Sequence, residues 1–165
     1  MSYIYELVTR IVKEYGTSDP FELCDALGIN LMREPLGSLR GLFSYVADEP
    51  VVFVSPDLGR EDSLMTCAHE LGHFFLHSEI AKENCLKEFK TFNMKDKVES
   101  EANIFAAHLL IDDEELIGLL KEGHDAFETA KMLHVYPDLL NIKLTELNSM
   151  GGSFDTGWTG TQLFN

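Results

Sequence analysis

Apolar positions Ile4, Leu7, Val8, Ile11 and Val12 recur at the three-and-four spacing of a one-sided helix, which predicts an opening helix over residues 3–15. In the following stretch, GTSDPFELCDALG, Asp19 suits an N-cap, Pro20 a first helical position and Gly28 a stop, so a second, short helix lies between them. Three short β-prone runs come next, INLM, GLFSYV and VVFVS, separated by turn-rich or charged segments. They predict a small antiparallel sheet. A helical period returns after SPDLGRED, where Leu64, Ala68, Leu71 and Phe75 line one face from about residue 61 to 77. The mixed, charged segment SEIAKENCLKEFKTFNMKDK reads as a loop with at most a helical turn. Helices resume at VESEANIFAAHLLI and DEELIGLLKEG, and AFETAKMLHVYPDLLNIKLTELN divides into two short helices near Pro137. The pattern is an α+β fold: one domain over residues 1–150, with a small sheet near the N-terminus and a mostly helical C-terminal part. The Gly- and Thr-rich ending, residues 151–165, reads as a flexible tail.

Composition narrows the classes. Hydrophobic residues make up 45% of the 165 and charged residues 25%, the balance of a soluble globular chain. No apolar run reaches the ~18–20 residues that span a bilayer. The amphipathic start, MSYIYELVTRIVKEYG, lacks the layout of a signal peptide, which predicts a cytoplasmic protein with no membrane partner. Cys24, Cys67 and Cys85 are odd in number and form no C-x-x-C pair, so neither a disulfide framework nor a thiolate zinc knot is expected. A net charge of −15 argues against direct nucleic-acid binding and leaves room for a basic partner.

One stretch breaks the ordinary pattern. TCAHELGHFFLH, residues 66–77, sets three histidines at even spacing along the apolar helix. Residues four apart stack on one face, so His69 and His73 can aim ring nitrogens at a single point. Glu70 lies about 100° round the helix, beside such a point without joining it. This is the content of H-E-x-x-H: two imidazole ligands for one zinc ion and a carboxylate that serves as general base for an activated water. Manganese or iron would also accept such donors. Gly72 costs about 1 kcal/mol against Ala inside a helix, and close approach of another element or a substrate would explain it.

Catalytic zinc takes three protein ligands and keeps a position open. The extended motif H-E-x-x-H-x-x-G-x-x-H fails, because Leu76 and Glu79 stand where it needs Gly and His. His77 lies on the stripe of His69 and His73, but three successive turns would span about 12 Å. It is expected to brace or pack beside the site. A carboxylate from VESEANIFAAHLLI remains, where Ile104, Phe105, Ala106 and Leu109 mark the buried side. Glu99 leads, since Asn103 one turn on could orient a ligating histidine; Glu101 is the alternative. Tyr45, His108, His134 and Tyr136 are candidates for oxyanion support, with His108 more at home as a core or surface histidine.

AHELGHFFLH followed by ESEANIFAAHLLI, with GLFSYV and VVFVS upstream in the same order, resembles the ImmA/IrrE family of zinc metallopeptidases over roughly residues 20–145. The resemblance implies a zincin-like, gluzincin-type domain. It makes His69 and His73 zinc ligands, Glu70 the base, and Glu99 the third ligand through an E-x-x-x-N pattern ending at Asn103. It also implies site-specific cleavage of a helix-turn-helix repressor, often encoded beside the protease on a phage or mobile element. Many members of that family carry their own N-terminal helix-turn-helix domain; this chain starts too near the protease core for one to be expected. ETAKMLHVYPDLLNIKLTEL superficially resembles a helix-turn-helix, but its few basic residues favour packing or substrate docking over DNA contact. Two rivals stand beside the peptidase reading: a zinc-bound module that regulates a repressor without cutting it, and a metal-dependent hydrolase acting on something other than protein.

Overall fold

The computed structural model describes residues 3–83 and 92–156, which form seven helices and one three-stranded sheet. Helix α1, Tyr3–Tyr15, buries Ile4, Leu7, Val8 and Ile11, the stripe its spacing marks. Helix α2, Pro20–Leu27, begins and ends on local chemistry. The Asp19 carboxylate accepts the backbone N–H groups of Phe21 and Glu22, Pro20 occupies the first turn, and Gly28 leaves the helix at φ 68°.

The sheet corrects one expectation. Strands β1, Asn30–Arg33, β2, Gly41–Val46, and β3, Glu49–Val54, lie in the order β1-β3-β2. β2 and β3 form an antiparallel hairpin, but β1 pairs with β3 in parallel, Asn30 opposite Val51. The sheet is therefore mixed. The hairpin turns through Ala47 and Asp48, both at positive φ, which folds β2 to the outside and brings β3 against β1. All four residues of β1 are exposed, so no alternation in that run announced its direction.

Phe43, Val52 and Val54 are buried on the sheet, which packs on helix α3, Arg60–Glu83. This helix is more enclosed than its one-sided pattern suggested. With β2 and β3, α2 and α4 all packed against it, every residue from Met65 to Gly72 is buried. Its backbone leaves helical values at His77, φ −133° and ψ 17°, at the expected end, yet helix resumes as far as Glu83. Helix α4, Phe92–Leu110, likewise starts within the segment read as a loop; residues 84–91, with Cys85, lie outside the described residues. Residues 78–83 and 92–97 hold no Pro or Gly, so nothing local stops a helix in either piece.

Helices α5, Asp113–Lys121, α6, Ala126–Met132, and α7, Pro137–Ser149, complete the chain, with caps at Asp112 and Asp125 and Pro137 in the first turn of α7. One contiguous core joins all seven helices to β2 and β3 through residues such as Leu7, Leu23, Phe43, Leu71, Phe105, Leu116, Ala130 and Leu140. Cys24 and Cys67 are buried in it as free thiols, their sulfurs 3.6 Å apart. Of the segment read as a tail, Phe154 packs on this core and its backbone is held at both N–H and carbonyl by the Asn148 amide. Residues 157–165 lie outside the described residues. No described helix is long and apolar enough to cross a membrane.

Candidate metal centre

The site forms where α4 crosses α3, and a glycine sets how closely they approach. A Cβ built on Gly72 would stand 2.8 Å from the Ala102 Cα and 3.0 Å from its carbonyl oxygen. The two backbones meet here with no room for a side chain. On α3 this contact is flanked by His69 and His73; on α4 it is flanked by Glu99 and Asn103.

The two histidines turn their Nε2 atoms toward each other, 3.1 Å apart. Glu99 reaches across from α4, with one oxygen 3.4 Å from His69 Nε2 and the other 3.8 Å from His73 Nε2. One ligating atom from each of the three residues falls within 4.8 Å of the others. Donor atoms bound at ~2.0–2.1 Å around a tetrahedral ion stand about 3.3 Å apart, so the spacing matches a bound cation. Protonation points the same way. His69 Nδ1 lies 2.8 Å from Asn103 Oδ1, an acceptor, so the ring carries its proton on Nδ1 and keeps a lone pair on Nε2. Two ring nitrogens and a carboxylate crowded together make a set of acceptors that wants a positive centre. The donor set fits zinc.

Glu70 lies next to this group, buried, with one hydrogen bond to the described residues. Its Oε2 accepts the backbone N–H of Phe43 from β2 at 2.8 Å. Oε1 faces Gly41, where an added Cβ would stand 2.8 Å away and would also strike the Thr66 methyl at 2.5 Å. Burial pushes the Glu70 carboxyl up to about 7; the charge of His69 and the Phe43 N–H oppose this and Glu99 adds to it. Burial also lowers His73, assisted by the charge of His69. In His69 burial works against protonation, but the hydrogen bond to Glu99 and the charges of Glu70 and Glu99 outweigh it and the net shift is upward. A proton on His69 Nε2 would thus stand in for the positive centre wherever no ion is bound.

The remaining candidates take other places. Glu101 is outside the group of three and meets His77 instead, Oε2 to Nε2 at 3.0 Å, while His77 Nδ1 lies 3.3 Å from His73 Nδ1. His108 belongs to a separate buried cluster, where Lys143 Nζ donates to its Nδ1 at 3.1 Å. His134 pairs with Glu61 at the surface. Tyr136 donates its hydroxyl to Asp62 and accepts from Arg40. Tyr45 stacks edge-on against Phe43 at 5.3 Å, on the strand that meets Glu70. Gly41, the Phe43 N–H and Ala102 were missed by sequence reasoning. Of these, Gly41 left a trace, because a glycine at the head of a β-prone run often marks close backbone approach.

The comparisons agree with the geometry. Residues 24–145 match the IrrE N-terminal-like domain, a peptidase family. The chain is 29% identical to Metallopeptidase ImmA of Bacillus subtilis (strain 168) over 150 residues, covering 86% of this chain and 84% of that protein. It is 36% identical over 107 residues to an uncharacterized immunity region protein 2 of Bacillus phage phi105, covering 64% of this chain and 66% of that one. A motif helix crossed by a carboxylate-bearing helix, in a chain matched along most of its length, makes this protein a metallopeptidase of the ImmA/IrrE family.

Proposed function

We propose that the chain is a zinc-dependent endopeptidase that cuts a helix-turn-helix transcriptional repressor of phage or mobile-element type. One observation carries the catalytic part of this reading: His69, His73 and Glu99 converge within 4.8 Å beside a buried carboxylate that takes no part in the convergence. The three would hold the ion. Bound zinc supplies Lewis acidity, lowering the pKa of a coordinated water toward ~7 and polarising a peptide carbonyl.

Glu70 does the proton work. The Phe43 N–H fixes Oε2, which leaves Oε1 to take a proton from the attacking water and pass it to the departing amine. Burial raises this carboxyl to about 7 without the ion, and the charge of a cation bound beside it would lower it and keep it ionised, as a general base requires. β2 is an outer strand of the sheet among the described residues, and beyond Phe43, whose N–H is taken by Glu70, it runs on to Tyr45. A substrate held extended along it would pass the site with its backbone aligned.

A repressor as substrate is supported by the kinship with a phage immunity region protein and by charge. A chain carrying −15 attracts a basic DNA-binding protein and repels DNA itself.

The test uses the purified chain, zinc and a repressor encoded nearby, with cleavage followed by mass spectrometry. Wild-type protein should cut once and stop when a chelator is added. Glu70→Gln should keep stoichiometric zinc and lose cleavage by at least a hundredfold. Glu99→Gln should lose stoichiometric zinc, whereas Glu101→Gln should still fill at saturating metal. Loss of stoichiometric zinc in Glu101→Gln alone would transfer the third-ligand role to Glu101. Unchanged biological activity of Glu70→Gln would turn the reading to a binding module.

A further inference from the structure

His77, one turn beyond His73, is 7% exposed and its ring is spanned by two hydrogen bonds. Its Nε2 lies 3.0 Å from Glu101 Oε2, and its Nδ1 lies 3.3 Å from His73 Nδ1. The helix breaks at this residue, whose ring reaches back along α3 toward the turn before it.

The direction of each bond follows from what the groups can do. An ionised carboxylate only accepts, so His77 donates from Nε2 to Glu101. A neutral His77 then presents a lone pair at Nδ1. His73 must donate its own Nδ1 proton to it, which leaves the His73 Nε2 lone pair facing His69 and Glu99. Glu101 thereby fixes the protonation of two rings in series, and Lys97 Nζ, 3.6 Å from its other oxygen, places a positive charge at the outer end. His69 obtains the same tautomer from the neutral amide of Asn103. The two rings are thus oriented by different devices, one by an amide and one by a histidine backed by a carboxylate.

We infer that His77 and Glu101 are positioning residues that hold His73 in its metal-binding tautomer and strengthen it as a ligand, through the chain His73–His77–Glu101. This rests on the reading of His69, His73 and Glu99 as the zinc site. A ligating histidine that donates its other N–H is a more basic ligand, and His77 accepts more strongly because it donates in turn to the Glu101 carboxylate; loss of such a partner typically costs 10–100-fold in metal affinity. Packing alone would predict a different outcome: weaker stability of the metal-free fold, with no selective effect on zinc.

The test is a zinc titration of the full chain against a chromophoric chelator, with thermal melting of the metal-free proteins in parallel. ¹⁵N-detected imidazole spectra of the metal-free state report the tautomers. Wild type should show His73 protonated at Nδ1 and His77 at Nε2. His77→Phe, which keeps a ring of similar bulk, should weaken zinc about 10–100-fold and abolish the fixed His73 tautomer. Glu101→Gln should weaken zinc about tenfold. His77→Gln, which retains an acceptor and a donor, should recover most of the loss.

Wild-type zinc affinity in both His77→Phe and Glu101→Gln would overturn the inference, as would an equal loss in His77→Gln and His77→Phe. If His77→Phe fails to fold, Glu101→Gln decides the matter alone, since its carboxylate is one-third exposed. A wild-type chain that binds no zinc would overturn the metal-site reading as well, whereas tight binding unchanged by the variants overturns the relay only.

Discussion

A methyl group at Gly72 would press on the Ala102 backbone at 2.8 Å, and one at Gly41 would press on Thr66 and Glu70 at 2.5 and 2.8 Å. The two glycines sit on opposite sides of the site and should fail in different ways. Gly72→Ala gains helix propensity, but it must push α4 off α3, and overpacking of this kind costs about 1–3 kcal/mol. The carboxylate of Glu99 and the amide of Asn103 move with α4, so melting temperature and zinc affinity should fall together. Gly41→Ala moves β2 or the Glu70 side chain and leaves the three converging residues alone. Zinc should stay bound while the cleavage rate drops, by up to about a hundredfold for a displacement near 1 Å. Calorimetry, a zinc titration and a cleavage assay on both variants separate the effects. Equal zinc affinity in wild type and Gly72→Ala would show that the helix contact does not position the ligands.

At the scale of elements, what was legible in the sequence was what is decided locally. Asp19, Pro20 and Gly28 bound α2 because a cap, a fixed φ and a left-handed stop act within a few residues. His69, Glu70 and His73 were legible for the same reason, since one helix turn relates them. Glu99 was preferred to Glu101 only on its neighbour Asn103 and on the resemblance, because both lie on one helix and its packing on α3 decides which faces His69 and His73. The parallel pairing of β1 depends on where a hairpin folds, and the Phe43 N–H is a backbone donor with no residue type to announce it. Helix junctions away from the site hide a further group. His108 on α4 meets Lys143 of α7, which pairs with Asp113 of α5 at 2.5 Å, and Tyr5 of α1 donates to the same aspartate at 2.8 Å. Burial, then the Lys143 charge, pushes His108 down to about 4 from an ordinary 6.5. The unfolded chain therefore takes up this proton first as pH falls. The stabilisation from a neutral His108 is complete above pH 6.5 and is lost as pH falls toward 4, amounting to roughly 3 kcal/mol at most. Melting of metal-free wild type and His108→Gln across that window should show the stability of wild type relative to the variant rising with pH from 4 to 6.5. Parallel curves would mean that the ring is not held neutral.

For the whole molecule, the consequence lies in how the site is shared. α3 is the element around which the sheet, α2 and α4 pack, and it supplies two of the three converging residues; α4 supplies the third and also packs on α1 and α7. A cation held between α3 and α4 would tie together the two helices on which the rest of the fold is assembled. Binding to the folded state alone stabilises it by about 2.7 kcal/mol when free metal is a hundred times its dissociation constant. In a chain of this size that corresponds to a rise in melting temperature of roughly 5–10 °C. Glu70→Gln should show a similar rise, because it leaves the three converging residues in place. Glu99→Gln should show little of it. Calorimetric scans of the three proteins with zinc and with a chelator check this without any substrate. Equal rises in wild type and Glu99→Gln would place the stabilising ion elsewhere on the acidic surface, and the crossing of the two helices would then hold no structural metal.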